Sequence, residues 1–129
     1  TDRTFDTQVQ RMVKASQDAI VAGQAAAYGE EAEVTYEVGY PATVNDPARA
    51  AFAAEVAREV SPQVQEDAAP EMGAEDFAYM LEKRPGAYHF EGKGETAGLH
   101  HPAYDFDDTT APAGASFFAR LVERALPLA

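Results

Sequence analysis

The clearest pattern in the chain is the strict alternation of apolar and polar side chains over residues 32–40. Every second residue is apolar or aromatic, and the residues between them are Glu, Thr or Gly. A period of two is typical of a β-strand with one buried face. Before this segment, apolar residues at helical spacing predict a helix that Asp6 caps at its start and Gly29 ends. Residues 1–5 predict a short strand. The first 40 residues are therefore predicted to form a strand–helix–strand unit.

A different pattern follows Pro41. Asp46 and Pro47 are a helix start signal, because aspartate caps a helix and proline is tolerated in its first turn. The predicted elements after this point are helices over about 47–60, 75–83 and 111–126, and short strands over about 64–66 and 87–91. Residues 92–110 are rich in glycine and acidic side chains and predict a loop. This alternation of helices and strands indicates an α/β fold.

Composition narrows the functional classes. The chain has 129 residues, a formal net charge of -12 and no cysteine. Its negative charge repels phosphate backbones and anionic lipid surfaces, so neither nucleic acid nor a membrane is expected as a partner. No apolar run approaches the roughly 20 residues that span a bilayer, and a cytoplasmic location is expected. Without cysteine, a metal site would have to use His, Asp and Glu.

Residues 99–108 contain the main candidate metal ligands, two histidines and three aspartates. Imidazole and carboxylate are ligands of zinc and manganese when no thiolate is present. Adjacent side chains of an extended loop point to opposite sides, so His100 and His101 are not expected to bind one ion together. The alternative is a polar surface loop, with Asp107 or Asp108 beside the start of the last helix, where carboxylates are favoured.

Three other segments hold candidate site residues. Glu75 and Asp76 lie at the start of a predicted helix, where they either cap it or, if one is buried, orient a metal ligand. Gly98 lies just before His100 and either admits a substrate to the backbone or marks a turn. Asn45 lies where the strand over 32–40 leads into the next helix, a position typical of a linker.

Six segments, in this order and spacing, resemble the C-terminal third of a metal-dependent amidohydrolase, aminoacylase and carboxypeptidase family. That family includes hippurate hydrolases, N-acyl-amino-acid amidohydrolases and indoleacetyl-amino-acid hydrolases. The matching segments are Arg3–Phe5, Tyr40–Asp46, Met72–Phe77, Arg84–Tyr88, Leu99–Asp108 and the last helix. Together they extend over essentially the whole chain.

The resemblance implies a protein in two parts. Residues 1–40 would be the C-terminal half of a ferredoxin-like lid, or dimerisation, domain. Residues 41–46 would be the hinge, and residues 47–129 the C-terminal part of a phosphorylase/hydrolase-like catalytic domain. A homodimer is expected, because the lid of this family often forms the dimer.

The resemblance also implies a reaction, the hydrolysis of the amide bond of a small N-acyl amino acid by a metal-activated water. Two divalent ions of zinc, manganese, cobalt or nickel would take part, with a glutamate as general base. His100 matches the family's C-terminal metal ligand, within its Leu-His-x-Pro motif. Glu75 and Asp76 match the acidic pair near the site, and Gly98 and Asn45 are expected close to ligand or substrate.

The family's other metal ligands and its catalytic glutamate are not found in this sequence. Catalytic zinc usually has about three protein ligands, so no catalytic residue, no tightly bound metal and no activity are expected of this chain alone. Three hypotheses stay open. The chain is a fragment of a complete enzyme, a naturally truncated module that dimerises through an exposed strand edge, or a small acidic domain with its own metal site at His100. The coding sequence upstream of Thr1 would separate the first two.

Overall fold

A computed structural model of the chain describes residues 2–128. The regular elements within this range are four helices: α1 (Thr7–Ala27), α2 (Pro47–Val60), α3 (Phe77–Leu81) and α4 (Ala111–Ala125). The chain divides into two compact units. The first comprises Thr1–Val44 and Pro70–Lys83, and the second comprises Asn45–Ala69 and Arg84–Ala129. Over the described range, no helix combines the length and the apolar character that crossing a bilayer requires.

Helices α1 and α2 begin directly after the predicted capping residues, whereas α3 is shorter than the predicted helix over about 75–83. The Asp6 carboxylate accepts a hydrogen bond of 2.7 Å from the backbone N–H of Gln8 at the start of α1. The Asp46 carboxylate accepts one of 3.0 Å from the N–H of Arg49 at the start of α2. Each aspartate thus satisfies an N–H that the helix itself cannot pair. The predicted helix over 47–60 is confirmed, and the last helix ends one residue earlier than predicted.

The end of α1 is set by Gly29, as predicted. Its φ angle is 70°, in the left-handed region that glycine adopts without steric cost. The N–H of Gly29 donates to the carbonyl of Ala26, and the N–H of Glu30 donates to the carbonyl of Ala25. This pair of bonds is the Schellman arrangement, which satisfies the last carbonyls of a helix. The local chemistry of four residues therefore ends α1.

The predicted strands are not confirmed in the part of the chain that the structure describes, which contains no strand over 1–5, 32–40, 64–66 or 87–91. Residue 1 itself lies outside the described range. A strand exists only when a neighbouring segment pairs with its N–H and C=O groups. Residues 32–40 have the predicted alternation but no such neighbour, and Val38 stays 68% exposed. The α/β architecture is thus absent from residues 2–128, which are helical with extended connections.

In the first unit, the extended residues after α1 run back along that helix. Lys14 of α1 forms an ion pair of 2.6 Å with Asp18, and its amino group lies 5.7 Å from the centre of the Tyr36 ring. A shallow cleft of about 280 Å³ separates the two segments and is lined by Lys14, Asp18, Val21, Ala22, Ala32 and Val34. No residue of α1 is buried, and Met12 and Ile20 are more than half exposed. The apolar stripe of α1 therefore has no packed layer against it within this unit.

The second unit is held together by the packing of α2 on α4. Val56 of α2 is fully buried, and Phe117 of α4 is 6% exposed. At the edge of this contact, Glu59 of α2 accepts hydrogen bonds from two arginines of α4. Its carboxylate lies 3.0 Å from Nε of Arg120 and also pairs with the guanidinium of Arg124. The two helices are thus joined by an apolar contact and by ion pairs at its rim.

The ion pairs of Glu59 predict how stability depends on pH. The hydrogen bond from Arg120, together with the charges of both arginines, holds the pKa of Glu59 below its ordinary value of 4.5. A lowered carboxyl pKa contributes stability that is fully present above pH 4.5 and is lost as the pH falls through the folded-state pKa. We therefore expect Glu59→Gln to lower the free energy of unfolding above pH 4.5, and the difference from wild type to shrink below it.

Urea unfolding of both proteins across this pH range measures the difference. Glu31→Gln is the matched control, because it makes the same change in net charge at an exposed glutamate outside both helices. A difference between wild type and Glu59→Gln that does not change with pH would contradict the ion-pair account.

Candidate functional site

Residues 98–104 fold into two consecutive turns around the histidine pair. The N–H of His101 donates to the carbonyl of Gly98 at 3.2 Å, and the N–H of Tyr104 donates to the carbonyl of His101 at 2.9 Å. Gly98 has an ordinary negative φ angle, and a side chain added there would meet open space. Its observed role is that of a turn residue, and its role near a ligand remains a prediction.

His100 has an unusual backbone conformation. Its φ angle is 64°, and it is the only non-glycine residue of the described range with a positive φ. The left-handed region costs an L-residue about 1–2 kcal/mol. Such strain persists where the surrounding structure imposes it, and it is concentrated at functional sites. His100 is the third residue of the turn closed by the bond between His101 and Gly98, and it is exposed.

The two histidines differ in the hydrogen bonds of their imidazole rings. Nδ1 of His101 accepts a hydrogen bond of 3.0 Å from the backbone N–H of Ala103, so the neutral ring carries its proton on Nε2. The His100 imidazole makes no hydrogen bond to any other residue between 2 and 128. His101 therefore stabilises the turn, while both ring nitrogens of His100 remain open to a ligand.

Lys93 anchors this loop, a role that the sequence prediction missed. Its amino group donates to the carbonyl of Ala97 at 2.8 Å and to the hydroxyl of Thr96, and it lies 4.7 Å from the centre of the Tyr104 ring. It thus connects the segment before His100 to the segment after it. Lys93 lies between two glycines, a pattern that predicts a flexible turn. In the sequence, only the nearby aromatic residue Tyr104 indicates a contact for Lys93.

Asp107 leads the same loop into α4. The Thr109 hydroxyl donates to the Asp107 carboxylate at 2.6 Å, and the Thr109 N–H donates to the same oxygen at 2.9 Å. These bonds, with the nearby charge of Lys93, hold the pKa of Asp107 below its ordinary value. The contacts favour the structural alternative for Asp107, a carboxylate that organises the start of the last helix.

Asn45 joins the start of α2 to the segment that precedes the loop. Its side-chain oxygen accepts a bond of 2.7 Å from the N–H of Tyr88, and its side-chain nitrogen donates one of 2.9 Å to the carbonyl of Tyr88. Beside it, the N–H of Asp46 donates to the carbonyl of Gly86 at 2.9 Å. The amide of Asn45 thus pairs with Tyr88 as a neighbouring strand would. Its position near substrate remains a prediction.

Glu75 and Asp76 lie at the start of α3. The Glu75 carboxylate accepts a bond of 3.0 Å from the N–H of Phe77 and is half-buried. Asp76 is exposed, and its side chain makes no capping hydrogen bond. The hydrogen bond from the Phe77 N–H favours the capping alternative for Glu75. Whether either carboxylate supports a metal ligand remains a prediction.

The predicted site residues fall in both units. Glu75 and Asp76 belong to the first unit, and Asn45, Gly98 and His100 belong to the second. Over residues 2–128, no three His, Asp or Glu side chains are grouped so that they could hold a metal ion. The described residues therefore do not by themselves fit a site of the predicted kind, and a metal at His100 would need further ligands.

The left-handed backbone of His100 predicts an unusual response to substitution. His100→Gly should keep the free energy of unfolding within about 1 kcal/mol of wild type, because glycine adopts this conformation freely while it loses more entropy on folding. His100→Val should fall about 1–2 kcal/mol below His100→Gly, because a β-branched residue is disfavoured there. Urea unfolding measures both. A glycine variant much less stable than the valine variant would contradict the left-handed backbone at position 100.

The paired amide of Asn45 predicts a graded loss of stability. Asn45→Ala removes both bonds to Tyr88 and should lower the free energy of unfolding by about 1–2 kcal/mol. Asn45→Asp is the comparison: it keeps the acceptor for the Tyr88 N–H but places a carboxylate oxygen against the Tyr88 carbonyl, so its loss should be at least as large as that of alanine. Thermal or urea unfolding checks the order. If alanine and aspartate variants were both as stable as wild type, the Asn45–Tyr88 pairing would not exist in solution.

Three curated proteins are similar to this chain over most of its length. The chain is 34% identical over 125 residues to the putative amidohydrolase YhaA of Bacillus subtilis (strain 168). The match covers 92% of this chain and 32% of that protein. It is 35% identical over 126 residues to the N-acetyl-L-cysteine deacetylase of the same organism, covering 98% of this chain and 30% of the relative. The hippurate hydrolase of Campylobacter jejuni is 29% identical over 121 residues, and the match covers 92% of this chain and 32% of that protein.

The chain thus spans about a third of the length of these curated relatives. No solved structure gives a significant match to it. Residues 4–124 match the sequence profile of Peptidase family M20/M25/M40. This match extends over nearly the whole chain, and the relatives named as amidohydrolase, deacetylase and hydrolase agree with it, so the chain belongs to Peptidase family M20/M25/M40.

Proposed function

We propose that this chain is the C-terminal part of a metal-dependent hydrolase that cleaves the amide bond of N-acyl amino acids. The observation that carries the proposal is the family match over residues 4–124 of a chain that spans about a third of its relatives' length. The family identity supports a hydrolase. The short span supports a chain that supplies only part of one and is inactive alone.

The substrate class comes from what the relatives' names have in common. Hippurate and N-acetyl-L-cysteine are both N-acyl amino acids, and a carboxypeptidase cleaves the amide bond before a terminal amino acid. All three substrates present an amide whose nitrogen belongs to an amino acid with a free carboxylate. An N-acyl amino acid of this form is therefore the proposed substrate. The acyl group is left open, because the relatives differ in it.

The metal requirement belongs to the whole protein in this proposal. Two divalent ions of zinc, manganese, cobalt or nickel would be bound, and His100 would be the ligand that this chain contributes. The exposed imidazole, with no other hydrogen-bond partner in the described range, supports that role. The hydrogen bond between His101 and Ala103 supports assigning it to His100 rather than to its neighbour.

The proposed architecture divides the chain into a lid part, a hinge and a catalytic part. Residues 1–40 would complete a ferredoxin-like lid, residues 41–46 would be the hinge, and residues 47–129 would complete the catalytic α/β domain. The strands over 32–40 and 87–91 would form when their neighbours are present. A homodimer through the lid is part of the proposal. The exposed extended residues 32–40 also favour a second candidate, a truncated module that acts only in dimerisation.

Activity assays separate these proposals. The purified chain should not hydrolyse hippurate or N-acetyl-L-cysteine with added zinc, manganese or cobalt. A fusion in which it replaces the matched third of the Bacillus subtilis N-acetyl-L-cysteine deacetylase should hydrolyse one of them. His100→Ala in that fusion should lower kcat/KM more than about 100-fold, because even residues that only support metal ligands cost about 10–100-fold.

His101→Ala is the matched control in the fusion and should keep most of the activity. Turnover by the isolated chain would overturn the proposal of an incomplete enzyme. Equal losses for His100→Ala and His101→Ala would overturn the assignment of His100 as the ligand.

A further inference from the structure

Lys93 contacts the loop of His100 on both sides of the histidine. Its amino group donates to the carbonyl of Ala97 at 2.8 Å, three residues before His100. It also lies over the Tyr104 ring, 4.7 Å from its centre and four residues after His100. An ammonium group is a donor only, and it is attracted to the face of an aromatic ring within about 6 Å. One half-buried side chain therefore joins the two ends of the segment 97–104.

The segment between these two contacts holds His100 by local bonds. The N–H of His101 donates to the carbonyl of Gly98, and the N–H of Tyr104 donates to that of His101. Each bond closes a single turn at the exposed surface, where water competes for the same groups. His100 also has a φ angle of 64°, which an L-residue disfavours. A contact that joins the ends of such a segment removes conformations in which the turns are open. The turns, and His100 within them, are therefore expected to depend on Lys93.

The charge of Lys93 also reaches the far end of the loop. The pKa of Asp107 lies below its ordinary value, first because of the hydrogen bonds from Thr109 and further because of the positive charge of Lys93. The carbonyl of Asp107 accepts a bond of 3.0 Å from the N–H of Thr110, directly before α4 begins. Lys93 thus connects the loop of His100 to the start of a helix that packs within the second unit.

We propose that Lys93 is a positioning residue for His100, because it clamps the segments before and after the histidine. Lys93 is not assigned a contact with metal or substrate, since its amino group is occupied by the loop itself. The inference rests on the proposed function in taking the His100 imidazole as a metal ligand. Without the clamp, residues 97–104 would also populate open conformations, and binding at His100 would weaken in proportion to the fraction of competent ones.

Backbone ¹⁵N NMR relaxation of the chain tests the positioning without any metal. The amide order parameters of His100 and His101 should be near the rigid value of about 0.85 in wild type and below about 0.6 in Lys93→Met, which keeps an apolar stem and loses the ammonium group. Lys93→Arg should restore them, because arginine keeps the charge, the donors and the ring contact. Lys14→Met is the matched control, since it removes an ammonium group beside an aromatic ring of the first unit and should leave both values unchanged.

The zinc affinity of the deacetylase fusion, measured by competition with a chelator, tests the link to the His100 imidazole. Lys93→Met should weaken zinc binding about 10–100-fold, the loss typical of residues that support a metal ligand, while Lys93→Arg and Lys14→Met change it little. In a fusion that already carries His100→Ala, Lys93→Met should have no further effect, because it acts only through the histidine. An equal loss in both backgrounds would show a general structural role and overturn the proposal.

The two measurements distinguish this inference from the proposed function. Equal order parameters in wild type and Lys93→Met, whether high or low, would overturn the positioning role regardless of what the fusion binds. A fusion that binds no zinc would count against the proposed function, and the order parameters would still decide whether Lys93 positions His100. Zinc binding that Lys93→Met leaves unchanged would keep the proposed function and overturn the inference.

Discussion

Burial of apolar surface between two layers is the constraint on which this structure depends. It is satisfied at one place in the second unit, where α2 packs on α4 and both Val56 and Phe117 are buried. The ion pairs of Glu59 with Arg120 and Arg124 border this contact and fix how the two helices lie. Elsewhere the same constraint is unmet, since the apolar side chains of α1 and the outer side of α4 are largely exposed. In the proposed function, the rest of the hydrolase would cover both.

The candidate site has the opposite character, because its local geometry is complete without any outside layer. The turns over 98–104, the contacts of Lys93 and the hydrogen bond between His101 and Ala103 all lie within one loop. Together they hold His100 in a left-handed conformation with its imidazole exposed. In the proposed function His100 would be one metal ligand, and the remaining ligands would have to come from outside this loop. The loop therefore agrees with the short span of the chain along its relatives.

How much could be predicted from the sequence depends on the range of the interaction. The caps at Asp6 and Asp46 and the end of α1 at Gly29 involve residues within a few positions of one another, and they were predicted. The strands were not confirmed, because alternation over 32–40 specifies one face of a strand and does not specify the segment that pairs with it. The pairing of Asn45 with Tyr88 joins residues 43 positions apart, and no local sequence pattern predicts it.

The site shows the same limit. Composition could not separate His100 from His101, and the resemblance to known amidohydrolases chose His100 by its place in a motif. The structure adds a physical difference between the two rings, which no periodicity contains. Whether the chain is part of a larger hydrolase is tested most directly by determining the coding sequence upstream of Thr1. The account predicts that the reading frame continues upstream and encodes the His-x-Asp and Glu-Glu motifs of the remaining metal site. A stop codon immediately before Thr1 would contradict it.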